Sequence, residues 1–207
     1  MTLSAVEVRN LKFAPPVAGV LPVFHERWSS RAFADRDVSA VDLKKVFEAA
    51  RWAASSNNEQ PWRFIVGTRN SETHKKLAET LMGFNQGWAA SAPVLILGVA
   101  STQFAANGRT NTYALYDLGA ASSYLTLQAA ALGMTSHQMG GFDHKAARKA
   151  LEIPEDYAFG ALIALGYQGE PAALGNEQLM QREFAPRARK PLSELVFKAW
   201  GEPVDLG

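Results

Sequence analysis

Ala53-Ala54-Ser55-Ser56-Asn57-Asn58-Glu59-Gln60-Pro61-Trp62-Arg63-Phe64 lies between two segments of different periodicity. Before it, Val41, Leu43, Val46, Phe47, Ala50 and Arg51 recur at the three-to-four spacing of a helix face. After it, Trp62, Phe64 and Val66 alternate with a period of two, as in a strand. The run between them is therefore a loop at a rigid helix-to-strand junction. Pro61 directs Gln60 toward an extended backbone, so the side chains of Ser55, Ser56, Asn58 and Gln60 are expected to line a surface instead of capping a continuing helix. That surface carries hydrogen-bonding groups without charge. Because Asn and Gln present donor and acceptor in one plane, it suits a planar heterocycle. An ordinary polar loop has the same composition.

Working outward, the whole chain has 207 residues, enough for one domain with a sizeable core. The expected division is an N-terminal arm over residues 1–24 and a single domain over 25–207. Its 21 basic and 20 acidic residues leave a formal charge of +1, so the bulk balance calls for no nucleic acid and no anionic membrane. Any anion site must be local. The absence of cysteine excludes disulfides, a thiolate nucleophile and Cys-ligated metals. Residues 1–24 carry Glu7, Arg9, Pro15, Pro16 and Pro22, which interrupt any signal-peptide pattern. The longest apolar run, Val94 to Ala100, is far shorter than a membrane span. A soluble, cytoplasmic protein is the expectation, with the Pro-rich start as an extended arm.

His25-Glu26-Arg27-Trp28-Ser29-Ser30-Arg31-Ala32-Phe33 concentrates cations and hydroxyls. On a helical turn Arg27 and Arg31 would share a face and could reach one phosphate, with Ser29 as a neutral donor. A solvated basic turn paired with Glu26 or Asp35 reads the same way. Periodicity then predicts helices over 42–52 and 71–82 and strands over 62–67 and 93–100, with a turn at 83–87 that carries Asn85 and has Trp88 just after it. A short polar connector follows over 101–110. The longest helix is expected over 112–132, with Leu115, Leu118, Ser122, Leu125, Ala129 and Leu132 on one face. Gly119 to Ser123 make its middle slim enough for another helix to approach, within a monomer or across a dimer.

A strand over 134–139 ends in Gly140-Gly141-Phe142-Asp143, with Asp143 placed to cap a helix over 144–151. The two glycines bring bare backbone N–H groups forward, as a plain tight turn also would. The remaining expectations are a strand over 157–167, a loop over 169–184, a short helix over 192–200 and a tail. Between them Pro186-Arg187-Ala188-Arg189-Lys190-Pro191 would point Arg187 and Arg189 the same way if extended, a second anion grip.

These pieces together match the needs of a flavin mononucleotide: guanidinium groups for phosphate, amides for the pyrimidine edge and a backbone donor near the reactive nitrogen. The chain resembles the FMN-dependent nitroreductase family. Arg27-Trp28-Ser29-Ser30-Arg31 is similar to its Arg-x-Ser-x-Arg/Lys motif, and Ser55-Ser56-Asn57-Asn58-Glu59-Gln60-Pro61-Trp62 to its Ser-x-x-Asn-x-Gln-Pro-Trp signature. The resemblance continues in order through Asn85, the central helix, Gly140-Gly141-Phe142-Asp143 and Arg187-Ala188-Arg189, covering about residues 25–195.

The resemblance implies an α+β fold, a mostly antiparallel sheet flanked by helices, with the long helix at a homodimer interface. It assigns Arg27, Ser29, Arg31, Arg187 and Arg189 to the phosphate and ring edge, and Asn85 to the flavin's side. Trp28 and Met139 fall within the same cofactor set. Ala54, Ser55, Ser56 and Asn58 would reach the FMN of the partner subunit, and Gly140 and Gly141 would place N–H groups near N5. The implied activity is NADH- or NADPH-driven, ping-pong reduction of nitroaromatics, quinones or similar small-molecule acceptors. A flavin-dependent dehalogenase or dehydrogenase and a non-catalytic flavin binder are the alternatives. Trp88 stands where some relatives have lysine, Gly140 where some have an acidic residue, and the connector after Ser101 is short where larger members insert a lid. No Ser-His-Asp or paired-carboxylate constellation is evident, and His25, His74, His137 and His144 read as structural or solvated.

Overall fold

The computed structural model describes residues 3–206. Its centre is a four-stranded antiparallel sheet formed by β1 (Trp62–Thr68), β2 (Val94–Ser101), β3 (Thr135–Met139) and β4 (Tyr157–Gly166), in spatial order β1-β2-β4-β3. Both faces are covered, which explains why β2 reads as an unbroken apolar run instead of alternating. On one face Trp62, Val94, Ile96, Ile163 and Leu165 pack under α3 (Ala40–Arg51) and α5 (Ala114–Ala131). On the other, Leu95, Leu97, Val99, Leu162 and Ala164 pack under α4 (Glu72–Glu79), α6 (His144–Ala150) and α7 (Glu177–Phe184). The expected α+β architecture is thus present, with the sheet as the middle of three layers.

The long helix α5 lies close on the sheet because glycines make room for it. A Cβ on Gly160 would stand 2.6 Å from Leu118 Cδ2, and one on Gly98 would stand 3.2 Å from Leu118 Cδ1. Leu118, Ser122, Leu125 and Ala129 are buried as expected, but Leu115 is exposed with Tyr116, Gly119, Ser123 and Tyr124. Gly119 and Ser123 therefore face away from the sheet in the single chain, while Ala121 and Ser122 between them are buried against it.

Three expectations are overturned at the ends of the chain. The presumed extended arm contains helix α1 (Ala5–Lys12), started by a reciprocal capping box in which Ser4 accepts from the Glu7 N–H and the Glu7 carboxylate accepts from the Ser4 N–H. Val8 and Lys12 of α1 are buried, and a short α2 (Pro22–Glu26) follows. The expected 169–184 loop contains α7, whose N-cap Asn176 accepts from the Leu179 N–H at 3.1 Å. The expected 192–200 helix is one short turn over Leu192–Glu194 followed by a hairpin of β5 (Phe197–Ala199) and β6 (Glu202–Pro203). In addition, α4 stops at Glu79. Leu81, expected inside it, leaves the helix and forms a bridge with Phe142.

Candidate functional site

The cations that sequence spacing paired are paired differently. α2 ends at Glu26, its C-cap Arg27 adopts extended backbone (φ −63°, ψ 127°), and no helical turn joins Arg27 to Arg31. Arg27 is grouped instead with Arg187 and Arg189. Burial lowers the Arg27 guanidinium below its ordinary range, and the neighbouring Arg189 charge adds to the effect. Burial likewise lowers Arg187, helped by Arg189 and Arg27. Arg187 is fixed by donating to the carbonyls of His25 at 2.6 Å and Lys12 at 2.7 Å. Among the described residues no carboxylate forms an ion pair with any of the three. Like charges gathered without a counter-ion make a local anion site, although the chain as a whole is almost neutral.

Arg31 serves a different partner. Glu183 of α7 is fully buried and accepts from the Arg31 N–H at 2.9 Å, the Ser30 hydroxyl at 3.2 Å and Arg31 Nη1 at 3.5 Å. Burial pushes the Glu183 carboxyl up, while the Arg31 N–H and charge, the Ser30 hydroxyl and Lys12 pull it back. Arg31 Nε is buried with no hydrogen-bond partner. The Arg31 guanidinium lies 5.9 Å from both the Trp88 and the Phe84 ring centroids. His137 lies against Trp88 with ring centroids 4.6 Å apart and planes tilted by 45°, and its Nδ1 lies 3.1 Å from the Ser30 carbonyl oxygen. Burial, with the Arg31 charge second, holds His137 down at about 4, so it is neutral at physiological pH.

The organising loop is tighter than its sequence suggests. Asn57, Asn58 and Gln60 have φ of 53°, 54° and 50°, so Gln60 is left-handed and not extended as Pro61 led one to expect. Non-glycine residues in this region carry strain that surrounding contacts must offset. Those contacts are visible: the Gln60 N–H donates to Ser55 Oγ at 3.0 Å, Gln60 Nε2 donates to the Asn58 carbonyl at 3.0 Å, and the Ser56 N–H donates to Asp117 Oδ2 at 3.0 Å. Ala54, Ser55 and Ser56 line an open hollow of about 290 Å³ with Tyr113, Tyr116 and Asp117. Asn58 is exposed beside it in sequence.

A third corner joins the 83–87 turn to the end of β3. The Asn85 side-chain amide donates to the Gly141 carbonyl at 3.1 Å, the Met82 N–H donates to the same oxygen at 3.2 Å, and the Asp143 N–H donates to the Thr80 carbonyl at 2.8 Å. The Gly140 and Gly141 N–H groups have no acceptor among the described residues. A Cβ on Gly141 would stand 2.7 Å from Asn85 Nδ2, whereas one on Gly140 meets nothing within 4 Å.

Two of the expected cofactor residues do not present their side chains. Trp28 is buried with Lys12 Nζ 5.0 Å above its ring, and Met139 is buried in the core cluster beneath the sheet. Ser29 is half-buried between Arg27 and Arg31. Sequence reasoning missed Glu183 and Asp117, both buried carboxylates. Each had a signal: Glu183 stands four residues after the buried Leu179 on the same helix face, and Asp117 is the one charged residue within Ala114–Ala131.

Comparison with known proteins follows the same order along the chain. A family model described as the nitroreductase family matches residues 25–87 and 80–167. A Thermus thermophilus protein named NADH dehydrogenase is 29% identical, with 88% of this chain and 97% of the relative covered. A crystal structure described as an oxidoreductase containing FMN superposes with a TM-score of 0.84 at 32% identity, covering 90% of this chain and 95% of the other. An FMN-dependent nitroreductase from Clostridium difficile superposes with a TM-score of 0.58 at 27% identity, covering 69% and 84%.

Proposed function

Because the chain belongs to the nitroreductase family, we propose that it is an FMN-dependent oxidoreductase that draws on NADH or NADPH to reduce nitroaromatics, quinones or similar acceptors. The observation that carries this reading is the gathering of Arg27, Arg187 and Arg189 without a carboxylate partner. A phosphate dianion supplies the missing counter-charge and takes guanidinium donors in bidentate geometry.

The other residues fit the rest of the cofactor. The partly exposed Arg31 guanidinium offers a charged donor for the pyrimidine edge. Gly140 and Gly141 offer free N–H groups, and the Asn85 amide holds their corner in place. Held by these residues, FMN would supply the redox chemistry, hydride transfer between a nicotinamide and an acceptor. The protein's part is to bind, orient and tune charge, so it needs no nucleophile of its own.

The homodimer belongs to the same proposal. Trp52, Leu115, Tyr116 and Tyr124 are exposed large side chains on or beside the outer face of α5. They flank two open hollows, one at Ala54–Ser56 and an apolar one of about 420 Å³ lined by residues including Phe24, Trp52 and Tyr124. A second copy docked there would bring its Ser55 and Ser56 toward the flavin of the first. No described helix is long and apolar enough to cross a membrane.

The test is an absorbance spectrum of the purified protein, identification of the released chromophore, and anaerobic stopped-flow mixing with NADPH and NADH. Rapid bleaching of a bound flavin supports the proposal. A colourless protein that refuses added FMN overturns it.

A further inference from the structure

The carboxylate of Glu183 serves no step of the proposed reaction, yet it is fully buried. A buried charge is tolerated only when it is paired and hydrogen-bonded. Glu183 meets that demand through the Ser30 hydroxyl and both the backbone and side chain of Arg31. Its hold on the backbone matters as much as the ion pair. Residues 27–31 are not helical, so the Arg31 N–H lacks a helix acceptor and takes Glu183 in its place.

The consequence for Arg31 is specific. Its Nη1 is turned to Glu183, its Nε is buried and unpartnered, and its guanidinium lies beside Phe84 and Trp88, next to Asn85 in the chain. Lys12 of α1 stands behind the pair, donating to the carbonyls of Arg182, at 3.3 Å, and of Ala185 at the end of α7. One anion is thus set among several cations, and it touches only one of those assigned to the cofactor.

We propose that Glu183 is a positioning residue of the flavin site, which orients Arg31 toward the cofactor's pyrimidine edge and moderates the positive charge that Arg31 presents there. This rests on the FMN reading above. Glu183→Gln keeps the shape and an acceptor for the Arg31 N–H but removes the negative charge. Positive charge beside a redox group favours its reduced state, so the midpoint potential of the bound flavin is expected to shift to a more positive value. Glu183→Ala removes the hold as well and is expected to raise the FMN dissociation constant about tenfold, the size of one lost charged hydrogen bond.

The experiment measures flavin midpoint potential, FMN affinity and apoprotein melting for wild type, both variants, Arg31→Gln and Arg31→Gln/Glu183→Gln. A positive shift in Glu183→Gln that vanishes in the Arg31→Gln background supports action through Arg31. Wild-type potential in Glu183→Gln, even with lowered melting, means a structural role only and overturns the inference. Should Glu183→Ala not fold, the potential of Glu183→Gln decides alone. A wild-type protein that binds no FMN removes the functional reading itself, an outcome distinct from unchanged variants of a yellow wild type.

Discussion

Asp117, buried on the central helix, accepts the backbone N–H of Ser56 at 3.0 Å and so ties a strained loop to α5. The Ser56 N–H begins the short turn over Ser56–Asn58. Asp117→Ala would leave that donor unsatisfied and release three left-handed residues, Asn57, Asn58 and Gln60. A loss of about 1–3 kcal/mol in unfolding free energy is expected, with a smaller loss for Asp117→Asn, whose carbonyl still accepts. Urea denaturation of the three proteins checks the order. Equal stabilities would mean the loop holds itself.

Removing two cations from the Arg27, Arg187 and Arg189 group relieves repulsion in the apoprotein while deleting ligands. Arg27→Ala/Arg189→Ala is therefore expected to leave the melting temperature unchanged or raised and to weaken FMN by about a hundredfold or more, at roughly 1.5–3 kcal/mol per charged contact. Fluorescence titration of the apoprotein measures it. Unchanged affinity would place the phosphate elsewhere.

The middle of the chain was legible because its signals are local. The continuous apolar run of β2, the alternation around β1 and the Asp143 cap each read correctly from neighbouring residues. The cation groups were less so. Arg27 feels the charge of Arg189, far along the chain, and Arg31 hydrogen-bonds to Glu183, relationships that no spacing rule reports. The N-terminal helix has a local signal in the Ser4-x-x-Glu7 capping box, but the prolines at 15, 16 and 22 give the segment as a whole the composition of an extended arm. Gln60 was misjudged because a rule about the residue before proline constrains a local preference, whereas the Ser55 and Asn58 hydrogen bonds decided the backbone.

Adjacent glycines at the end of β3 should respond differently to the same methyl group. A Cβ at Gly141 falls 2.7 Å from Asn85 Nδ2, while Gly140 has open space within 4 Å. Gly141→Ala must displace the Asn85 amide and lose its 3.1 Å bond to the Gly141 carbonyl. It is expected to slow flavin reduction by about tenfold, the cost of one neutral hydrogen bond at about 1 kcal/mol plus distortion of the free N–H groups. Gly140→Ala should stay near wild type in folding. Stopped-flow rates for the two variants, with melting curves as control, make the comparison.

Acid should weaken the fold through His137. Burial and the Arg31 charge hold its folded-state pKa at about 4, from an ordinary 6.5. The unfolded chain takes up this proton first as pH falls, so stability drops between those values and the residue contributes nothing above about 6.5. The expected loss on going from pH 7 to 4.5 is about 2–3 kcal/mol from this residue. Glu183, raised by burial, acts in the opposite sense over the acidic range, so the wild-type curve alone mixes the two. His137→Gln removes one of them. Its urea stability should fall less between pH 7 and 4.5 than that of wild type, and an equal fall would show that His137 is not the group responsible.

Tyr116 and Trp52 are 78% and 71% exposed in the single chain, a poor resting state for side chains that each bury about 150–250 Å² in a core or interface. Tyr124 and Leu115 stand on the same helix, and Gly119 and Ser123 between them leave room for close approach. In a twofold interface every residue acts twice, so Tyr116→Glu/Tyr124→Glu sets four carboxylates into one apolar seam. Light scattering should then find monomers, and because the proposed dimer sets Ser55 and Ser56 against the flavin across that seam, the same fractions should have lost their colour. A wild-type protein that is monomeric and still yellow would show that one chain suffices to hold FMN, and the exposed aromatic face would need another partner.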